Sequence, residues 1–296
     1  MAKAKAFLKR RRVVSNTRKI TRTMELVSTA KFRQSFNRVE GAQPYAKTMR
    51  DMMADLARAD VQVDHPLLRR REPARHVTVL LLTSNRGLCG GFNTHLCRTA
   101  RDTMESLRKE GTETSLHVVG KKGIAFFRFR GAPMAGTYTK FGDRPTYEAV
   151  EKLGQTFIDD YVRERTDRVV VVFQRYLSSA VQRPDVQVLL PITPEDVSEE
   201  ATTTGPARQG PVDYLYSPDA ASLMAQLLPA FFKTVLYQVF LETAVGEHRA
   251  RMVAMKNATD NAETMIKSLT RMYNRARQGQ ITNEISEIMG GVEALK

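Results

Sequence analysis

Met252-Val-Ala-Met-Lys-Asn-Ala-Thr-Asp-Asn-Ala-Glu-Thr-Met-Ile-Lys-Ser-Leu-Thr-Arg-Met-Tyr-Asn-Arg-Ala276 decides the fold. Met252, Met255, Thr259, Ala262, Ile266, Leu269, Tyr273 and Ala276 follow one another at alternating spacings of three and four. That repeat marks the buried seam of a coiled coil. Upstream, Ser217-Pro218-Asp219 has the form of a helix start, with Ser as N-cap, Pro in the first turn and Asp at the positive dipole end. Downstream, Gly290-Gly291 is a natural stop. A helix over this span is about 105 Å long. Pro229 is a candidate kink and Gly246 a weak point. The seam residues are small or flexible, so the helix needs a partner helix and pairs without a thick apolar core.

The partner is at the other terminus. Residues 4–60 hold one Gly (Gly41) and one Pro (Pro44) and read as a second long helix. Val13, Thr17, Ile20, Met24 and Val27, then Tyr45, Met49, Met52, Leu56 and Ala59, keep a 4-3 spacing. Between these blocks the apolar residues move to Phe32, Phe36 and Val39, which predicts a stripe that rotates around the helix. Between the two helices, strand patterns at 77–84, 116–120 and 169–173, with a weaker one at 186–191, alternate with helix patterns at 94–109, 122–129 and 147–165. Short continuous apolar strands separated by helices predict a buried, mostly parallel sheet. The fold class is therefore α/β: long N- and C-terminal helices forming an antiparallel coiled coil, plus a central Rossmann-like domain. The expected divisions are residues 1–62, 74–213 and 217–290, with an exposed loop at 199–211.

The 296 residues carry a formal charge of +14, and residues 1–40 hold twelve Lys/Arg against Glu25 and Glu40. So dense a basic arm calls for nucleic acid, an anionic membrane surface or an acidic protein partner. Two cysteines, Cys89 and Cys97, exclude a disulfide framework and a cysteine-built zinc cluster. The five histidines are scattered, with no pair at a helical ligand spacing. No apolar run approaches the ~20 residues of a membrane span, which suggests a soluble chain or one held at a membrane by partners. Thr83-Ser-Asn-Arg-Gly-Leu-Cys-Gly-Gly-Phe-Asn93 lies between a strand and a helix, but it fits neither phosphate-binding glycine pattern and has no Lys. A tight turn explains its glycines. No catalytic, metal-binding or cofactor-binding set emerges. Arg251, Lys256, Asn257 and Asp260, then Arg271, Arg275, Arg277, Gln278, Thr282 and Asn283, crowd the second helix. Part of that set is a solvated face; the rest suits a partner with carboxylate loops. Two other readings stay open at this level: a DNA-binding coiled coil, and a Rossmann-type enzyme.

Three segments carry a resemblance to the gamma subunit family of F-type ATP synthases: Ile20-Thr-Arg-Thr-Met-Glu-Leu-Val-Ser-Thr-Ala-Lys-Phe-Arg33 with Pro44-Tyr45; Leu82 to Asn93; and Arg251 to Ala262 with Tyr273 to Ile285. They occur in family order across nearly the whole chain. The resemblance implies a non-catalytic rotor shaft with no cofactor. It implies as partners the hexamer of alpha and beta subunits, the epsilon subunit and the c-ring, with no nucleic acid and membrane association through the complex only. It implies a place at the cytoplasmic face of the bacterial inner membrane. It also implies roles: Met24, Arg251, Arg277, Gln278 and Thr282 in beta contact and coupling, and Tyr45, Tyr214, Tyr216 and Ser217 at the foot near the c-ring and epsilon. Ser217 stands where some relatives carry an acid. The cysteine-bearing insert of chloroplast gamma subunits is absent, which implies a bacterial protein without thiol switching.

Overall fold

The computed structural model describes residues 2–58, 65–142, 144–178, 181–193 and 220–293. Contacts divide the chain into two compact units: residues 1–30 with 251–296, and residues 31–250. Helix α1 (Ala2–Arg58) and the last helix, α5 (Ala220–Glu293), each contribute to both. The proposed N-cap Ser217-Pro218-Asp219 and the loop at 199–211 lie outside the described residues.

The buried face of α1 corrects the sequence reading. Val14, Arg18, Thr21, Glu25, Ser28, Phe32, Ser35, Val39, Ala42, Ala46, Met49 and Met53 are all buried or half-buried. They alternate strictly by four and three, so the stripe does not rotate. In the N-terminal block the expected apolar row is displaced by one residue, about 100° around the helix, and faces outward: Val13 is 59%, Ile20 60% and Val27 51% exposed; Phe32, Val39 and Met49 of the expected set lie on the buried row. Polar residues at the seam hide it from an apolar pattern. Thr21, Ser28 and Ser35 are nonetheless buried.

In the first unit α1 and α5 run antiparallel: Thr21 bonds Thr259, while Arg11, nearer the N-terminus, lies over the ring of Tyr273, nearer the C-terminus. On α5 the predicted seam holds, with Met255, Thr259, Ala262 and Leu269 buried. The Thr259 hydroxyl stands 2.8 Å from both Thr21 Oγ1 and the Met255 carbonyl and shares its one hydrogen between them, and Thr21 in turn donates to the Arg18 carbonyl at 3.1 Å. This interhelical bond sets the register, since a slip leaves a hydroxyl facing a methyl. Thr259→Val is expected to cost about 1 kcal/mol, whereas Thr21→Val/Thr259→Val, with both partners apolar and the same shape, recovers most of it. Thermal unfolding of the four-member cycle measures this, and additive losses would contradict the pairing.

The second unit contains a five-stranded sheet of order β3-β2-β1-β4-β5, built from β1 (His76–Leu82), β2 (Glu113–Val119), β3 (Gly136–Tyr138), β4 (Arg168–Tyr176) and β5 (Gln182–Leu190). The first four are parallel; β5 is antiparallel to β4, with an irregular register at Val169/Val170. The crossovers are α2 (Phe92–Lys109), α3 (Lys121–Phe129) and α4 (Tyr147–Val162). Alternation along each strand divides the core between two faces. Val77, Val79, Leu81, Leu116, Val118, Val170 and Val172 meet α2 and α3, whereas Leu80, Leu82, Val169, Val171 and Phe173 meet α4 and α5. Burial on both faces is why these strands read as continuous apolar runs. The sequence pattern misses β3, whose three residues are too few to show a period. In β5, Pro184 sits on an edge strand, where a missing N–H is tolerated.

Over residues 224–248, α5 is buried on nearly all sides, with Leu228, Phe232, Leu236 and Val245 among its core residues. By length and composition this helix is long and apolar enough to cross a membrane, more than the sequence expectation allowed. Its apolar side chains belong to the domain core. Packing of Leu228, Phe231 and Phe232 also holds Pro229 inside the helix. Gly246 proves to be a close approach, since a Cβ there would stand 2.5 Å from Gln174 Cγ.

Candidate partner-binding surfaces

The helical unit is basic. Residues 1–30 carry nine Lys/Arg against Glu25 alone, and Glu25 is already engaged by Arg22 at 3.0 Å. The outward row Val13, Ile20 and Val27, at intervals of seven, lies among these cations. Leu26 beside it is also exposed, and α5 exposes Met265, Met272, Ile281, Ile285, Ile288 and Met289. Scattered exposed apolar residues are ordinary; a row at helical spacing bordered by one sign of charge, as on α1, marks an interaction surface, whereas the exposed α5 residues lie among charges of both signs.

The residues singled out by resemblance fall in separate places. Met24 is half-buried beside the α1 seam. Arg251 is 7% exposed, so its guanidinium is enclosed and not presented to solvent. Arg277, Gln278 and Thr282 are exposed on α5, where the Thr282 hydroxyl donates to the Gln278 carbonyl at 3.0 Å. Given the Thr21–Thr259 register, Met24 lies across from residue 256 or so, and Gln278 is about 30 Å further along the axis. These are two sites along one coiled coil. Tyr45 is exposed in the other unit. There it lines a cleft of about 320 Å³ with Ala42, Ala46, Tyr147, Thr234, Tyr237 and Gln238. Tyr214, Tyr216 and Ser217 lie outside the described residues. Sequence reasoning missed the outward role of Val13, Ile20 and Val27; the strict 4-3 row Val14, Arg18, Thr21, Glu25, Ser28 was the available signal.

In the α/β unit, the glycine turn after β1 directs its polar groups to its own chain. The Ser84 amide donates to Asn93 Oδ1 at 3.0 Å, and the Ser84 hydroxyl to the Arg86 carbonyl at 2.5 Å. Asn93 Nδ2 meets Cys89 Sγ at 3.1 Å. Leu88 and Gly90 take positive φ, 63° and 58°. Asn85 ties the turn to neighbouring segments, accepting from the Lys121 amide and donating to the Thr139 and Phe141 carbonyls. Burial pushes the Cys97 thiol up to about 12, which leaves no reactive thiolate near neutrality. Burial lowers the His117 pKa, and its Nδ1 shares a hydrogen bond with the Tyr138 hydroxyl at 3.1 Å. His65 Nδ1 accepts from the Leu67 amide at 3.2 Å, starting the 3-10 turn Pro66–Leu68. Among the described residues no three His, Cys, Asp or Glu side chains gather as metal ligands.

These features match known proteins along the whole chain. The sequence model of a family described as ATP synthase matches residues 3–295. The ATP synthase gamma chain of Rhodopirellula baltica is 40% identical over 296 residues, covering all of both chains. That of Rubrobacter xylanophilus is 43% identical over 284 residues, covering 95% of this chain and 94% of its own. Among solved structures, a chain of the Euglena gracilis mitochondrial ATP synthase (OSCP/F1/c-ring, rotational state 3) superimposes with a TM-score of 0.69 at 21% identity, covering 99% of this chain and 95% of that one. A chain of the rotor of the same enzyme in rotational state 1 gives 0.64 at 19% identity, covering 95% and 99%. With full-length identity of this order to gamma chains and the same fold in a synthase rotor, this chain belongs to the ATP synthase gamma chain family.

Proposed function

We propose that this chain is the central shaft of a rotary F-type ATP synthase, carrying rotation of a membrane c-ring to the catalytic beta subunits. The observation that carries the reading is the surface of the helical unit: an antiparallel pair in which α1 turns outward an apolar row bordered by cations and set apart from its own seam. Such a surface fits a ring of subunits with acidic loops. An asymmetric shaft acts as a ligand that contacts each beta conformation differently, and differential contact shifts such equilibria. The chain itself breaks no bond; its part is mechanical. The alpha and beta hexamer, the epsilon subunit and the c-ring are its partners, at the cytoplasmic face of a bacterial inner membrane. Arg277, Gln278 and Thr282 form the contact group toward the C-terminal end of α5. Met24 contacts beta from α1, and the enclosed Arg251 positions its neighbours. Tyr45, Tyr214, Tyr216 and Ser217 belong to the foot.

Coexpression with the cognate alpha and beta subunits tests this. One copy is expected to elute with a hexamer and to raise its ATPase rate; a chain that never associates would refute the shaft. Met24→Lys adds a cation facing the beta carboxylates, an attraction to be broken at every step. Assembly and hydrolysis should persist while ions pumped per ATP fall in inverted membrane vesicles. An unchanged ratio would remove Met24 from the coupling path.

A further inference from the structure

A second basic surface lies in the α/β unit, far in sequence from the N-terminal arm. From Thr114 to Gly142 there is no Asp or Glu, while Lys121, Lys122, Arg128, Arg130 and Lys140 are all present. Helix α3 turns Gly123, Ile124 and Phe127 into the core and leaves Lys121, Lys122, Ala125, Arg128 and Phe129 exposed on its other face. Phe129 is 92% exposed, the most exposed of the large apolar side chains among the described residues. Arg130 follows it, stacked 4.0 Å over the Phe126 ring. The acids of the neighbouring helix α2, Asp102 and Glu105, are both held by Arg101. Nothing in α3 needs this face for folding, and a fully exposed aromatic ring gains nothing from water.

We propose that the outward face of α3 docks on the anionic headgroup layer of a phospholipid bilayer, with Phe129 as the side chain that enters the interface. The charge is of one sign, which suits a uniformly anionic surface. Of the three cations on the exposed face of α3, Lys121 and Lys122 are Lys, a residue depleted at protein–protein interfaces. The apolar contribution is a single protruding ring, too little for the clustered anchors of a protein interface but sufficient to sit at headgroup level. The inference goes beyond the shaft reading and does not depend on it, because it can be tested on the chain without its partners.

The chain has no Trp, so Phe129→Trp places one reporter at the proposed contact. The full-length variant is mixed with vesicles of equimolar phosphatidylcholine and phosphatidylglycerol, with and without brominated acyl chains, and with vesicles of phosphatidylcholine alone. The expected result is emission at shorter wavelength, quenched by bromine, on the anionic vesicles only. Adding Lys121→Glu/Lys122→Glu/Arg128→Glu should weaken that response by about a hundredfold, from three lost cation contacts; circular dichroism checks that the variant is folded. Vesicles that bind the chain without moving the emission would show that the N-terminal arm binds them and overturn the proposal. An emission shift on adding the alpha and beta hexamer or epsilon, with none on vesicles, would assign the face to a protein and equally overturn it.

Discussion

The triple variant Val13→Asp/Ile20→Asp/Val27→Asp is expected to keep its fold and to lose the hexamer. All three side chains are more than half exposed, so charging them removes little from the core of the isolated chain. The seam one residue away, through Val14, Thr21 and Ser28, is untouched. In the complex these side chains are to be buried against the surrounding subunits. Burial of each contributes about 1.5 kcal/mol, so their loss weakens association by about a thousandfold, before the cost of three desolvated carboxylates. Titration of labelled chain against the alpha and beta hexamer measures this, with thermal unfolding of the free chain as control. Unchanged affinity would mean that this row is not the contact face. A falling melting temperature with intact affinity would mean that the row belongs to the fold.

The second large effect is on stability. Gly120→Ala should destabilise the α/β unit by roughly 3 kcal/mol or more, about 10 °C in melting temperature. Two costs combine. Gly120 sits at φ 98°, and an added Cβ would stand 2.1 Å from the Thr83 carbonyl oxygen. That oxygen cannot move aside, because Thr83 is fastened at both backbone and side chain. Its amide donates to the Val119 carbonyl at 2.9 Å, and its hydroxyl donates to the same carbonyl at 2.6 Å and accepts from the Gly123 amide at 3.0 Å. Gly111→Ala is the matched control: φ is 81°, but nothing lies within 4 Å of the added carbon. It should cost only the backbone term, about 1–2 kcal/mol. Equal losses in the two variants, by calorimetry, would show that the close approach contributes nothing.

What the sequence by itself determined is the set of elements whose period survives in apolar residues alone. The C-terminal seam from Met252 to Ala276 was legible because Met, Ile, Leu, Ala and Tyr hold the three-four spacing there, with Thr259 as the one small polar residue among them. The strands β1, β2 and β4 were legible because parallel strands covered on both faces become unbroken apolar runs. The family was legible from the segments at 20–33, 82–93, 251–262 and 273–285. Tertiary structure decided the rest. On residues 13–28 of α1, Val13, Ile20 and Val27 mark the outer face and the seam runs through Arg18, Thr21, Glu25 and Ser28. A close helix pair selects for short side chains and hydroxyls that can bond across it, and hydrophobicity does not report size. The three-residue β3 and the close packing at Gly246 depend on partners distant in sequence, and the antiparallel direction of β5 on its pairing with β4. Even the basic face of α3 becomes a surface only once Gly123, Ile124 and Phe127 have turned inward to the sheet. The charge was written in the chain, but which side of the helix faced solvent was settled by what the other side could bury.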